Sequence, residues 1–170
     1  MRAGKPVFWA AAAAYLAMAG IVCAASASVQ IIQNEQGTAV IRDATYVFED
    51  AVMNFCFEQG MIISNTPAVL AQDNVSAINA QAMSSAQSGR LEYYISVVLN
   101  YDTSDSTNPD AVRLSNIDSV SWQVYRLADA SLCGDGTLAA SAIAADDTED
   151  GFTDFARQVA YYICADLNGR

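Results

Sequence analysis

The chain has 170 residues, with 19 Asp and Glu against 8 Lys and Arg and no histidine, for a net charge of −11. Phosphate backbones and anionic membrane surfaces repel so acidic a chain, so nucleic acid is excluded as a natural partner. Without imidazole there is no Ser-His-Asp or Cys-His catalysis and no histidine metal ligand.

The first 27 residues read as a secretory leader. Arg2 and Lys5 precede an apolar run from Val7 to Cys23, and Ala25-Ser26-Ala27 places small residues at the cleavage positions. Cleavage is expected between Ala27 and Ser28, leaving a single domain of residues 28–170. The run is shorter than the roughly 20 residues of a membrane anchor, so no stable membrane insertion is expected. Lipidation at Cys23 is disfavoured by Val22, which stands where a small residue should precede the cysteine. The expected location is therefore the periplasm or the medium. Removing the leader takes the only lysine and one arginine, so six arginines face nineteen acids and the net charge becomes −13. Schiff-base chemistry and a P-loop lysine are then absent as well.

The first strand is expected at Val29–Ile32, with Ala39–Ile41 as the alternative. From about Thr45 to Gln59 the spacing of Val47, Ala51 and Phe55 predicts a helix, capped by Asp43 or Thr45 and ended by Gly60. Met61-Ile62-Ile63 reads as a short buried strand stopped by Ser64-Asn65-Thr66-Pro67. Val75 to Ser88 is a second helix, with Ile78, Ala82 and Ala86 four apart and Gly89 after it. Strict alternation predicts a strand over Leu91–Tyr101 and another over Ile117–Leu127, separated by the polar loop Asp102–Asp110. Gly134-Asp135-Gly136 reads as a turn, and Thr137–Ala144 as a further strand. The last helix, from about Thr148 to Leu167, carries the stripe Phe152, Phe155, Val159, Ile163 and Leu167. The order β-α-β-α-β-β-β-α predicts an α/β (α+β) sandwich, a mixed sheet of about four to five strands with about three helices.

Cys56, Cys133 and Cys164 remain beyond the leader, and export makes one disulfide expected. Eight residues of strand from the glycine turn cover about 26 Å at ~3.3 Å each. Sixteen residues of the returning helix recover about 24 Å at ~1.5 Å each. That arithmetic puts Cys164 level with Cys133 and favours Cys133–Cys164, with Cys56 a buried thiol. The rival pairing, Cys56–Cys164, would join two helices.

Asp102, Ser104, Ser106, Asn108 and Asp110 present oxygens at every other position, as a calcium loop does. Thr107 stands where such a loop needs glycine and Arg113 where it needs a bidentate Glu, so a solvated loop is the competing reading. Asp146, Asp147, Glu149, Asp150 and Asp154 crowd the last helix's start, where acids favour the helix dipole. Tyr94 and Tyr125 fall on strand faces opposite more apolar neighbours and are candidates for a partner surface. Asn74-Val75-Ser76 matches a glycosylation sequon. No catalytic or cofactor-binding residue is assigned.

Four segments in this order, Glu58–Asn65, Leu91–Val97, Ser121–Leu127 and the terminal amphipathic helix, resemble the small α/β domains of bacterial envelope accessory proteins. These are the N-terminal domain of the Tol periplasmic protein, the lipoprotein activators of penicillin-binding proteins and the curli-secretion lipoprotein. The resemblance implies an exported, non-catalytic domain that binds another envelope protein. Two other classes compete with it: a carboxylate- or calcium-dependent hydrolase, and a small-ligand-binding periplasmic module. The first requires acids converging in a cleft. The interaction domain requires dispersed acids and an exposed apolar patch, as along a sheet edge.

Overall fold

A computed structural model describes residues 25–71 and 74–168. The leader through residue 24, with its candidate lipidation position Cys23, lies outside the described residues. The elements are β1 (Ser26–Asn34), α1 (Asp43–Glu58), β2 (Ile62–Leu70), α2 (Val75–Ser88), β3 (Tyr93–Tyr101), β4 (Ile117–Arg126), β5 (Ser131–Ala139) and α3 (Glu149–Leu167). This is the order read from the sequence. They build one mixed sheet in the order β2-β1-β3-β4-β5, with β1 parallel to both neighbours and β3, β4 and β5 antiparallel in succession.

A strand flanked on both sides and covered on both faces must be buried throughout. β1 is such a strand, buried from Ala27 to Gln33. It begins at Ser26, ahead of the expected Val29, and so spans the expected cleavage point. Ala27 is fully buried, and the Ser26 carbonyl accepts a 3.0 Å bond from the Glu92 amide.

α1 and α3 cover one face. Phe48 packs against Phe152 and Phe155 at centroid distances of 6.2 and 6.4 Å, and Val159 and Ile163 continue the buried stripe. α2 lies on the other face over β1 and β3. Its small residues Ala82 and Ala86 pack with Tyr94 and Leu127. Beneath α2, Asn79 Oδ1 accepts from the Tyr94 hydroxyl at 3.0 Å and from Ser96 Oγ at 2.8 Å. The Tyr94 hydroxyl also meets Gln30 Oε1 at 3.0 Å.

Several expected bounds need correction: the strand expected over Thr137–Ala144 ends at Ala139, and Arg42, not Asp43 or Thr45, stands at the N-cap of α1. β2 is a nine-residue edge strand that runs through Ser64-Asn65-Thr66-Pro67, the segment expected to stop it. Proline is tolerated because the strand has one free edge. Gly134-Asp135-Gly136 is the middle of β5. The hairpin turns instead just after Leu127, where Ala130 takes a left-handed φ of 56°. The glycines serve packing. Gly136 lies opposite Trp122, whose indole crosses the strand where a side chain would stand, and Gly134 lies under Asp166. Trp122 Nε1 donates to Asp166 Oδ2 at 3.0 Å and its ring stacks on Tyr162 at 5.9 Å.

Candidate interaction surface

A polar cluster stands where β1 and β3 end, at the carboxyl ends of parallel strands. Gln33, fully buried, is its base. Its Oε1 accepts from the Arg42 amide and from Thr45 Oγ1, both at 2.8 Å. Its Nε2 donates to Glu35 Oε2 at 3.1 Å and to the Val40 carbonyl at 3.2 Å. Arg42 grips Glu35 through two bonds of 2.6 Å, reaches Asp110 Oδ1 at 2.6 Å, and lies over the Tyr101 ring. Thr103 Oγ1 adds a 2.8 Å bond to Glu35 Oε1. Burial alone would raise the Glu35 carboxyl. The bonds from Arg42 and Thr103 outweigh it and hold the group below the usual carboxylate range. Burial pushes the Tyr101 phenol up to about 12. An ionised, fully bonded Glu35 has no proton to give, so the cluster acts as a clasp holding the Asp102–Asp110 loop to β1.

That clasp divides the proposed calcium oxygens. Asp110 faces Arg42, while Asp102 Oδ1 accepts from the Ser104 amide and hydroxyl at 3.3 and 2.8 Å, and Ser106 Oγ accepts from the Asn108 amide. Asn116 shapes the loop from inside, its Nδ2 donating to the Asn108 and Ala111 carbonyls at 3.1 and 2.9 Å. A hollow of about 400 Å³ remains, lined by Asp102, Asp105, Ser106, Asn108, Arg113 and Ser115, with the arginine opposing a cation. Among the described residues no group of three Cys, Asp or Glu is placed to hold a metal ion.

The acids around the start of α3 are likewise separate. Thr148 Oγ1 caps the helix through the Gly151 amide, and Asp147 binds the Ser115 amide and hydroxyl at 2.9 Å each. Those bonds hold the Asp147 carboxyl low. Asn74, of the sequon, spends its side-chain oxygen capping α2 through the Ala77 amide.

Tyr94 is not at the surface. It is fully buried because α2 covers its face of β3, and its hydroxyl is spent on Asn79 and Gln30. Tyr125 stacks on it at 6.2 Å, half-buried, with its hydroxyl donating to Gln123. The thiol that meets Cys164 is that of Cys56, at 3.6 Å, and Cys133 Sγ turns to the Ser131 carbonyl. The three cysteines among the described residues are free thiols. The pair expected from the level arithmetic is therefore not the pair in contact. The level itself is right, since Gly134 lies under Asp166. Cys164 sits two residues earlier, about 200° around the helix, and faces α1.

Two features escaped the sequence reading. Glu49 is buried with its Oε1 unpartnered, and burial raises its carboxyl. Its place between Phe48 and Val52 on the inner stripe of α1 was the available signal. The second is the shoulder of β2. Phe57 and Ile62 are 72% and 62% exposed, on either side of the left-handed Gly60 that ends α1. β2 pairs only with β1, so its outer backbone is unpaired by any described strand. An extra residue near Pro67 bulges the strand, since Thr66 pairs with Gln30 but Val69 with Ile32. The regular part of the edge is thus Ile62–Thr66, next to Phe57. On the side of α1 that faces α3, Glu58 pairs with Arg157 at 2.7 Å, and Arg157 lies over Phe55. No helix of the described residues is long and apolar enough to cross a membrane.

The fold is similar to that of solved bacterial proteins at low identity. PelC from Paraburkholderia phytofirmans, crystallised as a dodecamer, is 16% identical with a TM-score of 0.46, over 86% of this chain and 89% of that one. TolB from Acinetobacter baumannii is 13% identical with a TM-score of 0.44, over 86% of this chain and 29% of that one. The LpoB C-terminal domain from Salmonella enterica is 10% identical with a TM-score of 0.38, over 75% of this chain and 90% of that one. TolB- and LpoB-type domains are among the classes the element order resembles. No curated protein matches the sequence. A family model described as "Uncharacterised protein" matches residues 26–168, from the first residue of β1 to the residue that caps α3, and the chain belongs to that family.

Proposed function

We propose that this chain is an exported, non-catalytic domain of the bacterial envelope that docks another envelope protein. The observation that carries the reading is the open edge Ile62–Thr66 of β2 with Phe57 and Ile62 exposed beside it. An unpaired strand edge is a template for another chain's strand, with main-chain bonds giving affinity and flanking apolar side chains giving selectivity. Phe57 supplies a large aromatic anchor. The acidity of the chain selects against acidic partners.

Affinity capture of the exported chain from an envelope extract, with and without calcium, tests the reading. One stoichiometric partner in both conditions is the expected result. Capture that needs calcium, together with calcium-dependent stabilisation of the purified chain, would return the Asp102–Asp110 loop to the front and overturn it.

A further inference from the structure

Three sulfur atoms meet between α1, α3 and the start of β2. Cys164 Sγ lies 3.6 Å from Cys56 Sγ and 3.8 Å from Met61 Sδ. Cys56 is fully buried, and Cys164 and Met61 are 6% and 8% exposed. The two helices run parallel across the same face of the sheet, with Phe48 against Phe152 and Glu58 against Arg157 along the same seam. Both cysteines occupy inward positions on that seam, so their side chains point at each other. A disulfide requires the sulfurs to close to about 2.05 Å, a movement of about 1.5 Å shared by two side-chain rotations. The unbranched thioether of Met61 can repack around it.

We propose that Cys56 and Cys164 are joined by a disulfide in the exported protein, locking α1 to α3, while Cys133 stays a thiol. The oxidant is a protein disulfide of the oxidising compartment, so the pairing rests on the export reading and not on the docking surface. One cysteine thiolate attacks the donor disulfide, forming a mixed disulfide and releasing one donor thiol. The second cysteine loses its proton and attacks the first cysteine's sulfur in the mixed disulfide, breaking its bond to the donor sulfur and releasing the other donor thiol. The balance is two cysteine thiols and one donor disulfide giving one new disulfide and two donor thiols. Burial excludes a bulky oxidant from the finished core, so the bond forms while α3 is docking. The cysteines are 108 residues apart, so the bond closes β2 through most of α3 into one loop, with β1 and most of α1 outside it.

The arginines make the test direct. Trypsin places Cys56 in Asp43–Arg90, Cys133 in Leu127–Arg157 and Cys164 in Gln158–Arg170. The exported chain, without the leader and its Cys23, is refolded in a glutathione redox buffer, alkylated without reduction, digested and weighed. The expected products are Asp43–Arg90 joined to Gln158–Arg170, with Leu127–Arg157 alkylated. Reduction of the folded protein should lower its thermal midpoint by about 10 °C. A link through Leu127–Arg157, or alkylation of all three peptides, overturns the proposal.

Discussion

Replacing Gly136 by alanine is a sharp test of the packing. In an unobstructed strand the change would stabilise the protein by about 0.5–1 kcal/mol, because glycine has more backbone freedom to lose on folding. Here a Cβ would stand 2.2 Å from Trp122 Cζ2 and 2.7 Å from Cε2 and Cη2. To restore contact distance the indole must retreat by about 1.5 Å. It is held from three sides: Nε1 bonds Asp166 at 3.0 Å, the ring stacks on Tyr162 at an interplanar angle of 5°, and the residue is buried. Overpacking of this kind costs about 1–3 kcal/mol, and loss of the Asp166 bond adds about 1 kcal/mol. After the glycine gain is set against these, G136A should be about 2 kcal/mol less stable, a fall of roughly 4–8 °C in thermal midpoint. Urea unfolding followed by tryptophan fluorescence reads this directly, since Trp122 is the only tryptophan beyond the leader. The double variant W122L/G136A, followed by circular dichroism, should lose less than the two singles together. A G136A protein as stable as the parent, or more so, would refute the placement of Trp122 across β5.

Three further outcomes follow from the same packing. Tyr94→Phe should cost about 1–2 kcal/mol in urea unfolding, because Gln30 Oε1 loses its partner inside the protein; no cost would mean that α2 does not cover β3. Glu49→Gln should stabilise the protein at pH 7. The raised carboxyl of Glu49 favours its protonated form, so its contribution is present below the unfolded-state value and is lost as pH rises through the folded value. The gain from glutamine should therefore vanish below about pH 4, and a gain independent of pH would contradict the assignment. A chain beginning at Ser28 should be about 2–4 kcal/mol less stable than one beginning at Ser26. It loses buried Ala27 and the Ser26–Glu92 pairing, and it sets an ammonium group at Ser28, which is 3% exposed. Equal urea midpoints would contradict the stabilising role of Ser26 and Ala27 in β1.

Periodicity carried most of the fold. The apolar stripe of α3 and the alternation of β3 and β4 are strong signals because each element presents one uniform face to the core. What failed were positions where residue type had two physical meanings. Gly134 and Gly136 read as a turn, yet they make room for a tryptophan on the neighbouring strand, a long-range fact with no local trace. Ser64-Asn65-Thr66-Pro67 read as a stop because strand propensity penalises polar residues and proline, a penalty an edge strand escapes. Tyr94 read as a surface aromatic because it shares its strand face with Ser96 and Asn100, opposite the more apolar face; α2 buries that face with a hydrogen-bond network in place of an oily one. Cys164 shows the limit of counting along elements, since rise fixes level but only the helix phase fixes direction. The shoulder of β2 was invisible for a related reason. Phe57 and Ile62 are apolar residues next to apolar residues, and only the three-dimensional edge shows them exposed.

The most direct test of the docking account places a photo-crosslinking amino acid at position 62 of the exported chain in living cells, with position 137, exposed on β5 at the opposite edge, as the control. The account predicts one discrete adduct from position 62, lost when Phe57 is changed to Asp, and none from position 137. Adducts from position 137 alone, or none from either position, would contradict it.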